Sequence, residues 1–476
     1  MPSSRYSLGY SSGIATATAR LPYTLSVNNP GKTFDLCVIG GGPAGMMAAG
    51  RAAACGERVL LLEKNESLGR KLLITGGGRC NVTNAETRRH VLVEKYGERG
   101  KFLHSLFARF GSQDTRDFFH SFGLETRVEE ENRVFPVTDQ AKSVLDVLVR
   151  YLDQGGVELR TRSIVKGFKA GEARQLDAVQ VGGELIRARR FVLATGGTSH
   201  PETGSTGDGF AFLRQLGHTV RDPEASLVPI VVREGAVKAL QGLSIQDARL
   251  TARFVGNPGP GVTIASGTPA APGLSRVSER GKLLFTHFGL SGPLALNLST
   301  RIRELERDGL HWDPHGAVTL EIDLLPTQDH GELDRQLLET FQEAPNRKVK
   351  NTLQTVVPAR FAPVLLEAAG VDGEKPANGV SRAERKAVVA VAKGFSLTFA
   401  ELRGSRHAIV SSGGVALEEV DFRSMRSRLY ENLYLAGDIL DFQRRSGGYS
   451  LQICWSTGWV AGNSACTGET SHPALS

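Results

Sequence analysis

Apolar positions along the chain follow two rhythms, short unbroken runs and longer helical repeats. The first organised stretch, "FDLCVIGGGPAGMMAAGRAAACGERVLLLEK", opens with an apolar run from Leu36 to Ile39. It continues through an Ala-rich segment from Pro43 to about Cys55 and closes with a second run from Val59 to Leu62. Short continuous apolar runs predict buried parallel strands, and the segment between them has the length of a helix. The chain therefore opens with a strand-helix-strand unit.

After residue 85 the pattern turns helical and mixed in charge, with "FLHSLFARFGSQDTRDFFHSFG" showing helix-period apolar spacing. Strand-like runs return in "VELRTRSIVKGF" and "RFVLATGG", and a polar, glycine-rich loop follows from 199 to 218 and runs into a helix. Between about 220 and 325, short β-like runs broken by Gly and Pro, such as "LVPIVVRE" and "GKLLFTHFGLSGP", suggest a barrel-like insert. Residues 327 to 394 read as helical and charged. "GFSLTF" and "HAIVSSGGV" are strand-like again, and "NLYLAGDILDFQRRSGGYSLQICWSTGWVAGNSA" reads as strand, loop and helix. That last helix is expected from about Leu451, with Ser450 as its N-cap.

Candidate chemistry starts at the first turn. Gly40, Gly42 and Gly45 hold the G-x-G-x-x-G positions, with Pro43 and Ala44 between the last two. In that pattern the first glycine permits a tight turn, the second lets backbone amides approach a pyrophosphate, and the third lets helix and strand pack closely. Glu63 ends the second strand, roughly 20 residues beyond the turn, where a carboxylate accepts ribose hydroxyls. Glycines alone are a weak signal, but strand, glycines, helix, strand and acid in order are a strong one. An acid rather than an arginine cluster disfavours a 2'-phosphate, which leaves FAD or NAD.

Composition narrows the alternatives. With 476 residues there is room for two or three domains, and the 40% apolar and 22% charged residues are ordinary for a globular protein. No apolar run approaches the roughly 18 residues of a membrane span. The cysteines, Cys37, Cys55, Cys80, Cys454 and Cys466, show no C-x-x-C and no metal-ligand spacing, and Cys37 and Cys55 are expected in element interiors. They read as free thiols in a reducing compartment, with no zinc site. The first 34 residues carry Arg5, Arg20 and Lys32 and no acid, a bias of disordered tails and of transit peptides alike. The formal charge of +7, less these three, leaves +4 for the remainder, weak evidence for a polyanionic partner.

The motifs "VIGGGPAG", "GRKLLITGGGRCNVTN", "ATGG", "TGSTGDG", "LLFTHFGLSGP" and "LYLAGDILDFQRRSGGYSLQ" together resemble the BaiN/YhiN-like bacterial flavoproteins, also called aminoacetone-oxidase-like FAD-binding enzymes, from about Phe34 to about Ala465. The resemblance implies an α/β fold. A Rossmann-like FAD/NAD(P)-binding domain is built from both chain ends, 34–205 and 412–466. A β-barrel-like insert, 206–326 and 395–411, carries a helical insert, 327–394, and tails are expected at 1–33 and 467–476. Family members commonly carry Glu and Asn where this chain has Asp438 and Ser450, a change expected to preserve binding.

FAD is much longer than the pyrophosphate cradled by the first turn. The cluster Gly76, Gly77 and Gly78 is therefore expected to serve the flavin end, with Arg79, Cys80 and Asn81 near the ring. Arg79 either places positive charge by a reduced flavin or a substrate carboxylate, or forms an ion pair that holds its loop. Cys80 reads as a small residue packed beside the ring, and Asn81 as a loop brace. In related flavoproteins the acid of the C-terminal strand receives ribityl hydroxyls, a role that falls to Asp438 after Gly437. Gly447, Gly448, Tyr449, Ser450 and Leu451 would aim helix N-terminal amides at the pyrimidine edge of the flavin. Lys64, Lys71, Ala194, Thr195 and Gly196 complete the expected cofactor set. His287, on a Gly-rich turn of the insert, is a weaker candidate for proton transfer, and His200 and His407 are weaker still.

The reading that results is an FAD-dependent oxidoreductase acting on a small organic molecule, in the cytoplasm, with no expected nucleic-acid partner. No second strand-G-x-G-x-x-G-helix unit provides a nicotinamide domain, so NAD(P)H would bind transiently if it is the donor, with oxygen or a quinone as the other partner considered. A tRNA-modifying flavoprotein and a non-catalytic FAD-binding redox sensor are the alternatives.

Overall fold

The computed structural model describes residues 33–256, 273–307, 318–404 and 410–467. The expected tails fall almost wholly outside these residues, as does His407. The strand Phe34–Ile39 pairs in parallel with Val59–Leu62 on one side and with Glu184–Leu193 on the other. Glu158–Arg160 extends the sheet beyond Val59–Leu62, and Leu433–Leu435 joins it beside Glu184–Leu193. Strands from both ends of the chain thus share one sheet, and the first strand sits at its centre because Leu36, Cys37 and Val38 have no exposed surface.

The helix Pro43–Ala54 packs along the C-terminal helix Tyr449–Thr467, and two glycines of the latter make that approach possible. A Cβ on Gly458 would lie 2.3 Å from the carbonyl oxygen of Ala44, and one on Gly462 would lie 2.3 Å from that of Ala48. The helices meet backbone to backbone, which only residues without side chains allow. Trp455 is fully buried beside this contact, and its indole N–H donates to the carbonyl of Val82 at 2.8 Å, so its one polar atom is satisfied.

The insert is a closed barrel of six strands: Ile230–Val232, Gly289–Ser291, Gly273–Phe285, Ser244–Gly256, Thr319–Asp323 and Phe395–Leu402. Ala248, Leu250, Ala252, Leu320, Ile322 and Leu397 are buried and fill its interior at alternate positions. The barrel region is not purely β, because "GPLALNLSTRIRELER" forms the helix Gly292–Arg307. The helices His330–Glu343 and Arg382–Lys393 lie between the last two barrel strands in sequence and share the barrel's hydrophobic core. Both start with capping boxes, Asp329 with Glu332 and Ser381 with Glu384, in which each cap side chain accepts from the backbone N–H three residues on.

The two-stranded sheet of Val220–Ser226 and Val410–Val415 carries the chain into and out of the barrel. Beside it, His218 is sealed from solvent, with Glu419 on Nδ1 at 2.7 Å and Ser427 on Nε2 at 2.9 Å. Two segments about 200 residues apart in sequence are pinned there by one imidazole.

Three local expectations are corrected. The apolar pattern from Phe102 to Gly123 is broken at Phe110 and Gly111 into two helices, His104–Arg109 and Ser112–Ser121, where the Gly111 N–H bonds Asp114 and starts a new cap. Ser450 is not the N-cap: the last helix begins at Tyr449, and Ser450 lies within its first turn. Cys55 is not interior, because it caps the end of Pro43–Ala54 and is exposed.

Candidate functional site

An open cleft of about 910 Å³, counting the solvent at its mouth, lies at the carboxyl ends of the parallel strands, where Phe34–Ile39 stands between Val59–Leu62 and Glu184–Leu193. Ligands of open α/β sheets bind at such a position. Gly40, Gly42, Pro43, Ala44, Glu63, Lys64, Lys71, Ala194, Thr195, Gly196, Gly437 and Asp438 all line it, so half of the expected cofactor residues are brought together.

The glycines act by close backbone approach. Gly40 has φ +108° and a Cβ there would lie 2.4 Å from the Ala194 carbonyl oxygen; one on Gly45 would lie 1.8 Å from that of Gly40. Gly45 thus packs behind the cleft. At Gly42 a Cβ would meet nothing within 4 Å, so the first turn of Pro43–Ala54 opens onto free space, and no side chain caps its amides. A helix N-terminus of that kind suits a phosphate. Glu63 is buried, accepting from the Gly41 N–H at 2.7 Å and the Asn65 N–H at 2.8 Å. Those bonds fix the carboxylate at the rim while each oxygen retains accepting capacity. The Thr195 hydroxyl is buried without a hydrogen-bond partner among the described residues and faces Gly209, where a Cβ would lie 2.1 Å from it.

Asp438 stands at the other end of this cleft. Burial opposes its ionisation, but the charges of Arg444 and Lys71 outweigh that and hold the carboxyl below the usual carboxylate range. Lys71 Nζ is 3.2 Å from Asp438 Oδ2 and also donates to Ser199 at 2.6 Å, while Arg444 Nη2 is 3.5 Å from Oδ1. The result is a fixed anionic acceptor, suited to sugar or ribityl hydroxyls. Lys64 is paired with Asp208 at 2.7 Å and donates to Thr206, so it braces the 203–208 loop against the cleft.

The second glycine cluster lies elsewhere. Gly76, Gly77 and Gly78 are exposed, have φ of +58°, +69° and +87°, and line neither this cleft nor the second one below. A run of left-handed residues explains the glycines without any ligand. Arg79 donates to Glu129 and Asp139 and lies 4.1 Å over the Phe135 ring, the loop-holding role among the two considered for it. Cys80 is fully buried, and burial pushes its thiol up to about 12, so it stays protonated. Asn81 is a brace: with its amide oriented to satisfy its bonds, it donates to the carbonyls of Val134 and Thr83 and accepts from the Gly448 N–H at 3.0 Å.

That last bond joins two motifs that lie more than 300 residues apart. A Cβ on Gly448 would lie 2.4 Å from the Thr83 carbonyl, and Asn84 Nδ2 donates to the Gly447 carbonyl at 3.2 Å. The N-terminus of Tyr449–Thr467 is thereby fixed beside a second cleft of about 940 Å³. Gly447 and Tyr449 line it together with residues that sequence reasoning missed: Asn84, Glu86, Arg88, Lys95, Glu131, Arg280, Asn297 and Arg445. The "RRSGGY" arginines were the one visible signal. Arg88 bonds Glu86 and pulls its carboxyl down to about 2, and Arg445 pairs with Glu279. Burial pushes the Tyr449 phenol up to about 12, with Arg445 lowering it and Glu86 and Glu131 raising it, so the group is a neutral O–H at ordinary pH. Tyr449 and Leu451 are buried, and Leu451 lines neither cleft. His287 is an exposed turn residue stacked edge-on against Phe288 at 5.0 Å, and it also lies outside both clefts. His200 bonds Glu202 at 2.9 Å on the surface.

A switch-point cleft with an uncapped helix N-terminus, a rim carboxylate and a second acid from the C-terminal strand defines a Rossmann-type dinucleotide-binding protein. The chain belongs to the HI0933-like Rossmann-domain family, whose model matches residues 34–464. It is 30% identical over 438 residues to the ribosomal RNA dihydrouridine synthase of Escherichia coli, covering 92% of this chain and 99% of that protein. It is 29% identical over 430 residues to the 3-dehydro-bile acid delta(4,6)-reductase of Clostridium scindens, covering 90% and 98%. The ribosomal RNA dihydrouridine synthase of Haemophilus influenzae is 29% identical over 428 residues, covering 89% and 96%. No helix among the described residues is long and apolar enough to cross a membrane.

Proposed function

We propose that the protein is an FAD-dependent reductase of carbon–carbon double bonds conjugated to a carbonyl, with the cofactor's nucleotide end in the first cleft and the substrate in the second. The observation that carries this reading is that one helix serves both: Tyr449–Thr467 gives Cys454 to the first cleft and Tyr449 to the second. The named activities of the relatives share this chemistry. A 3-oxo steroid with 4,6 double bonds and a uracil ring are both alkenes conjugated to a carbonyl.

FAD, when bound, supplies reversible two-electron hydride chemistry. Gly42 and the first-turn amides would hold its pyrophosphate, Glu63 the ribose, and Asp438 the ribityl hydroxyls. In the second cleft Arg280 and Arg445 would orient a carbonyl oxygen. The Tyr449 hydroxyl would donate the proton that one alkene carbon gains as the other gains hydride, and solvent would restore it. NAD(P)H is the two-electron donor in this reading, and it is oxidised once per double bond reduced.

A small unsaturated carbonyl compound is the first substrate class. The cations at the second cleft favour a second reading, a uracil base presented by RNA. The test is anaerobic visible spectroscopy of the purified protein with NADH or NADPH, then with a cyclic enone or a uridine-containing RNA. Bleaching by the nicotinamide and recovery with either acceptor is expected. A flavin that no nicotinamide reduces would refute the reductase reading, and a chain that takes up no FAD would refute the cofactor assignment.

A further inference from the structure

The barrel's outer surface carries an arrangement that nothing in cofactor binding requires. The antiparallel register of Ser244–Gly256 and Gly273–Phe285 sets Arg249 opposite Arg280 and Arg253 opposite Arg276, with Thr251 opposite Ser278 between them. Ala248, Leu250, Ala252, Phe254 and Val277 are buried toward the interior, so by strand alternation the arginines share the outward face. Like charges directly opposite each other destabilise a sheet. Two such pairs in succession weaken the strand pairing unless other charges offset them.

The acids present neutralise only part of this face. Asp247 binds Arg280 at 2.7 and 2.8 Å, and Glu321 binds Arg253 at 2.7 Å. Asp323, opposite Arg249 on the next strand, is 2.8 Å from Lys393. Arg249 and Arg276 are exposed and have no ion-pair or hydrogen-bond partner among the described residues. The two arginine pairs stand roughly 13 Å apart along the strands, from about 3.3 Å per residue. At the Arg280 end the row reaches the mouth of the second cleft, where Arg88, Lys95 and Arg445 also stand.

We propose that this face of the barrel binds the phosphate backbone of RNA and leads a strand to the second cleft. Spaced, unpaired guanidiniums with a hydroxyl pair between them, Thr251 and Ser278 at 3.0 Å, match a repeating phosphodiester better than one small anion. Entry of a uracil base into the cleft rests on the function proposed above, whereas backbone binding by the barrel face does not.

The test uses the full-length FAD-loaded protein and a fluorescently labelled, uridine-containing RNA hairpin, followed by anisotropy across a salt series. Wild type is expected to bind with a steep salt dependence. In Arg249→Glu/Arg276→Glu the dissociation constant should rise at least about tenfold, and the log–log salt slope should fall by about 1.5 to 2 for two lost phosphate contacts. Arg249→Lys/Arg276→Lys should retain most of the binding. Neither position lines a cleft, so flavin content and reduction of a small cyclic enone should be unchanged in all three proteins. No hairpin binding by wild type, or equal binding by the Glu variant, would overturn the proposal. A hairpin that binds but whose uridines are never reduced would refute uracil entry and leave the backbone surface standing.

Discussion

At Gly40 to Ala44 and Ala194 to Gly196 the walls of the nucleotide cleft are main chain, whereas the second cleft is walled by the charged side chains of Glu86, Arg88, Lys95, Glu131, Arg280 and Arg445. In the first, shape comes from how closely backbones approach, and the polar groups are amides fixed by secondary structure. In the second, the polar groups sit on long side chains from several separate segments. The contrast suits the proposed division between a cofactor cleft and a substrate cleft, because backbone dipoles are fixed by secondary structure while charged side chains supply selectivity.

The contrast is open to attack at graded strengths. Gly45→Ala places a methyl 1.8 Å from the Gly40 carbonyl oxygen, so strand and helix must separate. We expect a loss of about 3 kcal/mol in denaturant unfolding and no retained flavin absorbance. A Gly45→Ala protein that keeps its flavin would show that main-chain closeness is not what shapes the first cleft. Tyr449→Phe should leave flavin content intact and lower kcat for alkene reduction by about 100-fold, the usual scale of a lost proton donor. An unchanged kcat would remove Tyr449 from the chemistry. Asp438→Asn leaves Arg444 and Lys71 facing a neutral amide, and should weaken FAD binding about tenfold, measured by titrating the apoprotein. Turnover by the loaded fraction should change less.

The smallest effect concerns the joint between the two regions. Burial holds the His218 imidazole below its ordinary value of 6.5, although Glu419 pulls the other way. A base with a depressed folded pKa binds its proton better when unfolded. Its contribution to stability is therefore complete above the unfolded value and is lost as pH falls below 6.5 toward the folded one. Wild type should accordingly lose more Tm than His218→Gln between about pH 7.5 and about pH 5.5, with the imidazole titrating inside that window. Parallel Tm curves for the two proteins would show that His218 does not titrate on unfolding.

Much of the nucleotide domain was legible in the residues. The run from Val59 to Leu62 is a strand over that span, and the helix from Pro43 ends one residue before the limit expected for it. The C-terminal strand joins the same sheet, and its Gly437 and Asp438 line the first cleft. The glycines from 76 to 78 are ambiguous because positive φ and ligand approach both select glycine, and a sequence does not say which is at work. Gly458 and Gly462 went unread for the opposite reason: their spacing matters only once the helix from Pro43 lies against them.

The sequence by itself determined the strand, turn, helix and strand that open the fold, because sterics between residues a few positions apart leave that segment little choice. It also determined the hydrophobic alternation that closes the barrel. Tertiary structure alone decided that Asn81 meets Gly448, that Arg249 faces Arg280, and that Tyr449 borders a cleft with Glu86 and Glu131. Those juxtapositions depend on strand register and helix docking across hundreds of residues, which are set by packing the whole core and are written in no local stretch of the chain.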